Sequence, residues 1–92
     1  MPPLTDQEIA ERLGSSRWQR DSKSIVRDFT FDDFGAAVGF VNRVAALAEQ
    51  ANHHPDILLH GYNKVRLELS THSAGGLTDA DFRLAGHIDE LT

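Results

Sequence analysis

The sequence predicts an α+β domain of order α-β-β-α-β-β-α, a four-stranded antiparallel sheet with three helices packed on one face. Three observations carry that expectation. Two Thr-x-x-acidic stretches, Thr5-Asp6-Gln7-Glu8 and Thr78-Asp79-Ala80-Asp81, read as capping boxes, each preceded by a leucine. From Asp33 to Asn52, apolar residues recur at spacings of three and four, the period of a helix with a buried stripe. Between these helices lie two pairs of short β-rich runs, each pair joined by turn-forming residues. At 92 residues the chain supports one domain, expected to span 1–92.

In the first helix, Leu4 and Ile9 sit at the two positions of a hydrophobic staple. Ile9, Ala10 and Leu13 share a face, and Gly14 ends the helix. Trp18–Asp21 reads as an edge strand, Ser22-Lys23-Ser24 as a turn, and Ile25–Phe31 as the second arm of a hairpin. Ile25, Phe29 and Phe31 are expected on one face of that arm, with Asp28 and Thr30 on the other.

Asp32 or Asp33 caps the long helix. Its buried stripe is expected at Phe34, Ala37, Val38, Val41, Ala45 and Ala48, widened by Phe40, Val44 and Leu47 so that it meets more than one surface. The helix reaches Ala51 or Asn52, and Pro55 prevents it from going much further. Ile57–Tyr62 reads as the third strand, with a tight turn at Asn63-Lys64 in which Asn tolerates the left-handed conformation. Val65, Leu67 and Leu69 alternate with Arg66, Glu68 and Ser70, which puts His72 opposite the leucines if the strand extends that far. After the loop Ala74-Gly75-Gly76, the last helix buries Leu84, Ala85, Ile88 and Leu91.

Composition excludes several functions. A formal net charge of −5, with Lys and Arg scattered, disfavours a nucleic-acid partner, which calls for a concentrated basic face. No apolar run approaches the roughly 20 residues needed to span a bilayer, and no signal peptide is visible, so a cytoplasmic protein is expected. With no cysteine, neither disulfides nor a thiolate metal site can brace the domain. A chain this small without such braces favours self-association.

The chemistry is concentrated in imidazoles and carboxylates. His53 and His54 follow the long helix, where the backbone dipole favours a cation, so each can be read simply as a helix-end cap. The other reading is a pocket: histidine suits general acid–base work near neutrality, and Pro55 pushes His54 towards extended backbone. Glu49, one turn before His53, can pair with it or orient it. Asp81 is explained by its capping box alone, and His87 as a surface residue. Adjacent histidines are not a known metal-ligand spacing, and no metal is expected.

The intervals resemble those of one family, the pterin-4a-carbinolamine dehydratases. Glu49, His53-His54-Pro55, Tyr62, His72 and Asp81 stand at its signature spacings, and the words Tyr62-Asn63-Lys64-Val65, Leu69-Ser70-Thr71-His72 and Gly76-Leu77-Thr78 match as well. The likeness extends upstream through Arg27–Phe31 to Trp18 and Leu4-Thr5, and so covers essentially the whole chain. One residue is added before Tyr62 relative to shorter members.

The resemblance implies a dehydratase that converts a 4a-hydroxytetrahydropterin, left by an aromatic amino acid hydroxylase, to quinonoid dihydropterin and water. It implies His53, His54 and His72 as catalytic residues converging on one cleft, with Glu49, Pro55, Tyr62, Thr71 and Asp81 binding substrate or giving support, Asp81 behind His72. It also implies no cofactor or metal, and a homodimer or homotetramer. The competing reading is a non-catalytic, coactivator-like dimerisation partner that would use Phe40, Val44 and Leu47 of the long helix.

Overall fold

Strands and helices alternate as the sequence predicts in a computed structural model that describes residues 2–92. The order is α1 (Asp6–Leu13), β1 (Gln19–Asp21), β2 (Ser24–Thr30), α2 (Phe34–Ala51), β3 (Asp56–His60), β4 (Lys64–Leu69) and α3 (Asp79–Asp89), with a 3₁₀ turn at His72–Ala74. All strand pairs are antiparallel, and their order across the sheet is β1-β2-β4-β3. The central pair β2–β4 runs in register from Ile25↔Leu69 to Thr30↔Lys64. Ile25 and Phe29 of β2, with Val65, Leu67 and Leu69 of β4, therefore point to one face, where the helices cover them.

The capping boxes form as the residues dictate. The Thr5 backbone N–H donates to Glu8 Oε1 (2.9 Å) and Glu8 N–H to Thr5 Oγ1 (3.2 Å). Asp33 caps α2 through Ala36 N–H at 2.7 Å. Trp18 lies just before β1; it is buried, and its indole N–H donates to Asp89 Oδ1 at 2.8 Å. Arg27 pairs with the same carboxylate, so the first hairpin is fastened to the end of α3.

Four expectations need correcting. The buried stripe of α2 is Ala37, Phe40, Val44 and Ala48, with Val41 and Leu47 flanking it, whereas Phe34 and Ala45 are exposed. Phe40 fills the centre, its ring 4.6 Å from that of Phe29 and 4.9 Å from that of Phe31. Phe40 and Val44 are inaccessible, so neither offers a surface to a partner protein. Ala10 is exposed, because the apolar face that α1 turns to the core is made by Ile9 and the half-buried Leu13.

The second hairpin turns earlier than expected. His60 pairs with Lys64, leaving Gly61-Tyr62-Asn63 as a three-residue loop in which Gly61 (φ 56°) and Tyr62 (φ 58°) are left-handed. Asn63 is committed elsewhere: its side chain donates to the Phe31 carbonyl, and its own carbonyl accepts from Phe31 N–H, both at 2.8 Å. That extra tie to β2 moves the bend onto the two preceding residues. Finally, β4 stops at Leu69, so His72 is not on a strand; Thr71 instead bridges to Gly76 around the 3₁₀ turn.

Candidate active site

Asp81 organises the polar centre. It is the third residue of α3 and is wholly buried, at 0% exposure, so its carboxylate must be satisfied by protein donors. It is. Asp81 Oδ2 accepts from Thr78 N–H (2.9 Å) and from the Thr71 hydroxyl (2.7 Å), and Oδ1 accepts from His53 Nε2 (2.5 Å). The α3 N-terminus further favours negative charge there. The Thr71 proton points to Asp81, so the Thr78 hydroxyl must donate to Thr71 (2.8 Å) while accepting from the α3 backbone. Among the described residues no buried side-chain nitrogen or oxygen lacks a partner.

This network defines the His53 tautomer. A carboxylate has only acceptors to offer, so Nε2 carries hydrogen and Nδ1 is left as the acceptor nitrogen of the neutral ring. The ring position follows from how α2 ends. Asn52 is left-handed (φ 50°, ψ 42°), its N–H returning to Glu49 O and the His53 N–H to Ala48 O, the two bonds of a Schellman closure. The helix thus stops three residues before Pro55, and His53 leaves it pointing towards α3.

The structure distributes the other expected site residues unevenly. Thr71, Asp81 and His53 form one hydrogen-bonded chain, and His72 is the residue next to Thr71, exposed on the 3₁₀ turn. The ring touching Asp81 is that of His53, not His72. His54 turns outward; its Nε2 lies 3.6 Å from Glu49 Oε2, so Glu49 pairs with His54 rather than with His53. The left-handed Asn52 takes both histidines off the helical i, i+4 register that suggested the other pairing. Pro55 is half-buried, and Tyr62 is 63% exposed at the far tip of the β3–β4 hairpin. Among the described residues no three His, Asp or Glu side chains are grouped to hold a metal ion.

Beside His53 is a cavity of about 260 Å³ between α2 and α3. Leu47, Gln50 and Ala51 line it from α2, and Ala80, Arg83, Leu84 and His87 from α3. Arg83 and His87 were not singled out from the sequence as site residues. The available signal was their i, i+4 spacing after Ala80, which gives one face of α3 two nitrogen-rich side chains.

Fold and site together define a small α+β domain with a histidine–carboxylate pair, the equipment for proton transfer. Residues 2–91 match the family described as Pterin 4 alpha carbinolamine dehydratase. A protein of Chloroflexus aurantiacus, provisionally named a pterin-4-alpha-carbinolamine dehydratase, is 53% identical over 92 residues (99% of this chain, 98% of the relative). A Sulfurisphaera tokodaii protein of the same provisional name is 47% identical over 92 residues, with the same coverage. The crystal structure of a transcriptional coactivator/pterin dehydratase from Brucella melitensis superposes with a TM-score of 0.90 at 36% identity, covering 97% of each chain. A pterin dehydratase-like protein identified as a RuBisCO assembly factor in the alpha-carboxysome is more distant, with a TM-score of 0.65 at 26% identity over 82% of this chain and 86% of that one. This chain belongs to the pterin-4-alpha-carbinolamine dehydratase family.

Proposed function

We propose that the protein dehydrates a 4a-hydroxytetrahydropterin, releasing water and quinonoid dihydropterin. The C4a–O bond breaks as the departing hydroxyl takes up a proton, N5 gives up its proton, and a C4a=N5 double bond forms. The step is redox-neutral and calls on no cofactor, so two positioned proton-transfer groups suffice. His53 is the first, acting through Nδ1 while Asp81 holds Nε2; His72, beside Thr71, is the second, on the other side of the pterin. His54 contacts the substrate at the rim, and Pro55 restricts how His54 is presented. The observation that carries this reading is the buried Thr71–Asp81–His53 chain, since a carboxylate fully satisfied by one imidazole, one hydroxyl and one amide orients a proton-transfer group. A reaction that forms 4a-hydroxypterins, such as aromatic hydroxylation, supplies the substrate.

The test is the decay of a 4a-hydroxytetrahydropterin followed by absorbance, with wild type, His53→Ala and His72→Ala. Each variant should lose on the order of 10²–10⁴ in rate. A rate near wild type in either folded variant removes that residue from the mechanism, and a wild type no faster than buffer removes the reaction.

The chain also self-associates, in this reading, through β3. That strand is a sheet edge with Ile57 37% and Leu58 54% exposed, a surface that calls for cover. Paired antiparallel with a second copy about Leu58, each Asp56 falls opposite the other copy's His60. A coactivator-like role through Phe40 and Val44 is disfavoured by their burial.

A further inference from the structure

The cavity beside His53 has two walls of different character. Leu47, Ala51 and Leu84 are apolar, whereas Arg83 and His87, one turn apart on α3, give its mouth a cationic guanidinium and a second imidazole. Arg83 has no acidic partner within 4 Å among the described residues, although acidic side chains outnumber basic ones by 14 to 9 in this chain. The carboxylates that α3 itself could offer are otherwise engaged. Asp79 pairs with Arg12, Asp81 with His53, and Asp89 with Arg27. Glu90 stands 3.5 Å from His87 Nδ1, an exposed contact of the kind worth little in water.

We propose that this mouth is a subsite for an anionic group, a phosphate ester or a carboxylate, carried on the side chain of the pterin. The inference rests on the dehydratase reading for the identity of the ring and extends it to the substrate's substituent. At about 260 Å³ the cavity is smaller than whole-ligand sites, which begin at ~300 Å³, so it takes the substituent while the bicyclic ring lies outside it, between His53 and His72. At the mouth the guanidinium fork of Arg83 matches an oxyanion in two hydrogen bonds, and His87 adds a ring donor. An uncompensated cation at this point also offsets the repulsion that a net charge of −5 imposes on any anionic ligand. The chain's preferred substrates are therefore anionically substituted pterins rather than neutral ones.

Fluorescence titration with three non-reacting dihydropterins tests this, the side chain being methyl in one, a phosphate monoester in another and a carboxylate in the third. At least one anionic ligand should bind about tenfold tighter than the methyl compound, the scale of a charge-assisted hydrogen bond open to solvent. The preference should shrink as salt is raised and should disappear in Arg83→Gln. Which arm shows it names the group as phosphate or carboxylate. Equal affinities for all three ligands, or a preference unchanged in Arg83→Gln, overturn the subsite. Turnover of a methyl-substituted 4a-hydroxytetrahydropterin by the wild type, measured alongside, reports on the dehydratase reading independently of that result.

Discussion

Replacing Asp81 by Asn separates the role of its charge from its role as an acceptor. In the wild type, Oδ2 takes two donors, Thr78 N–H and the Thr71 hydroxyl, and Oδ1 takes His53 Nε2–H. The Thr78 amide is a fixed backbone donor, so an asparagine must keep its oxygen there and turn its NH₂ towards His53. The imidazole can meet that NH₂ only by accepting at Nε2, which moves the hydrogen to Nδ1. His53 Nδ1 then changes from acceptor to donor while the site keeps its shape.

In stability, each of the three bonds falls from the charge-assisted class towards the neutral class, about 1 kcal/mol apiece. A loss of about 2–3 kcal/mol lowers Tm by roughly 10–20 °C in a domain of this size, yet leaves it folded if it starts within the usual 5–15 kcal/mol. Activity should fall by about 10²–10⁴, the worth of positioned proton transfer. Long-range proton–nitrogen NMR correlation reads the His53 tautomer directly, circular dichroism reads the fold and thermal melts read the stability. A folded Asn variant that keeps hydrogen on Nε2, or that dehydrates at the wild-type rate, refutes the reasoning.

Other expectations follow from single positions. Asn52 is left-handed at the end of α2, so Asn52→Ala should cost about 1 kcal/mol and lower Tm by roughly 4–8 °C, whereas Asn52→Gly should be nearly neutral. Equal melting temperatures for the two variants would sink this account of how α2 ends. Leu58→Lys puts two like charges opposite each other in a β3–β3 pair, so light scattering should show a shift from dimer to monomer with the fold unchanged. A wild type that is monomeric at all concentrations, or a variant that associates equally well, argues against pairing through β3.

Features set by near neighbours were legible in the sequence. The two capping boxes, the alternation of Val65, Leu67 and Leu69, the end of α2 at Ala51 or Asn52 ahead of Pro55 and the α-β-β-α-β-β-α order each depend on residues within a few positions of one another. Their intervals also pointed to the family, because a signature spread over the whole chain needs no coordinates to be read. Tertiary structure decided what local spacing leaves free. A period of 3.6 residues cannot say where on the helix the sheet will press, so the stripe of α2 centres on Phe40 and Val44 rather than on Phe34 and Ala45. The Asn63–Phe31 tie, 32 residues long in sequence, moved the β3–β4 bend onto Gly61 and Tyr62. His53 and Asp81 are 28 residues apart, and Asp81 already had a local explanation as a cap. Only the packing of α3 against the end of α2 turns that cap into the partner of one imidazole and leaves His54 facing water.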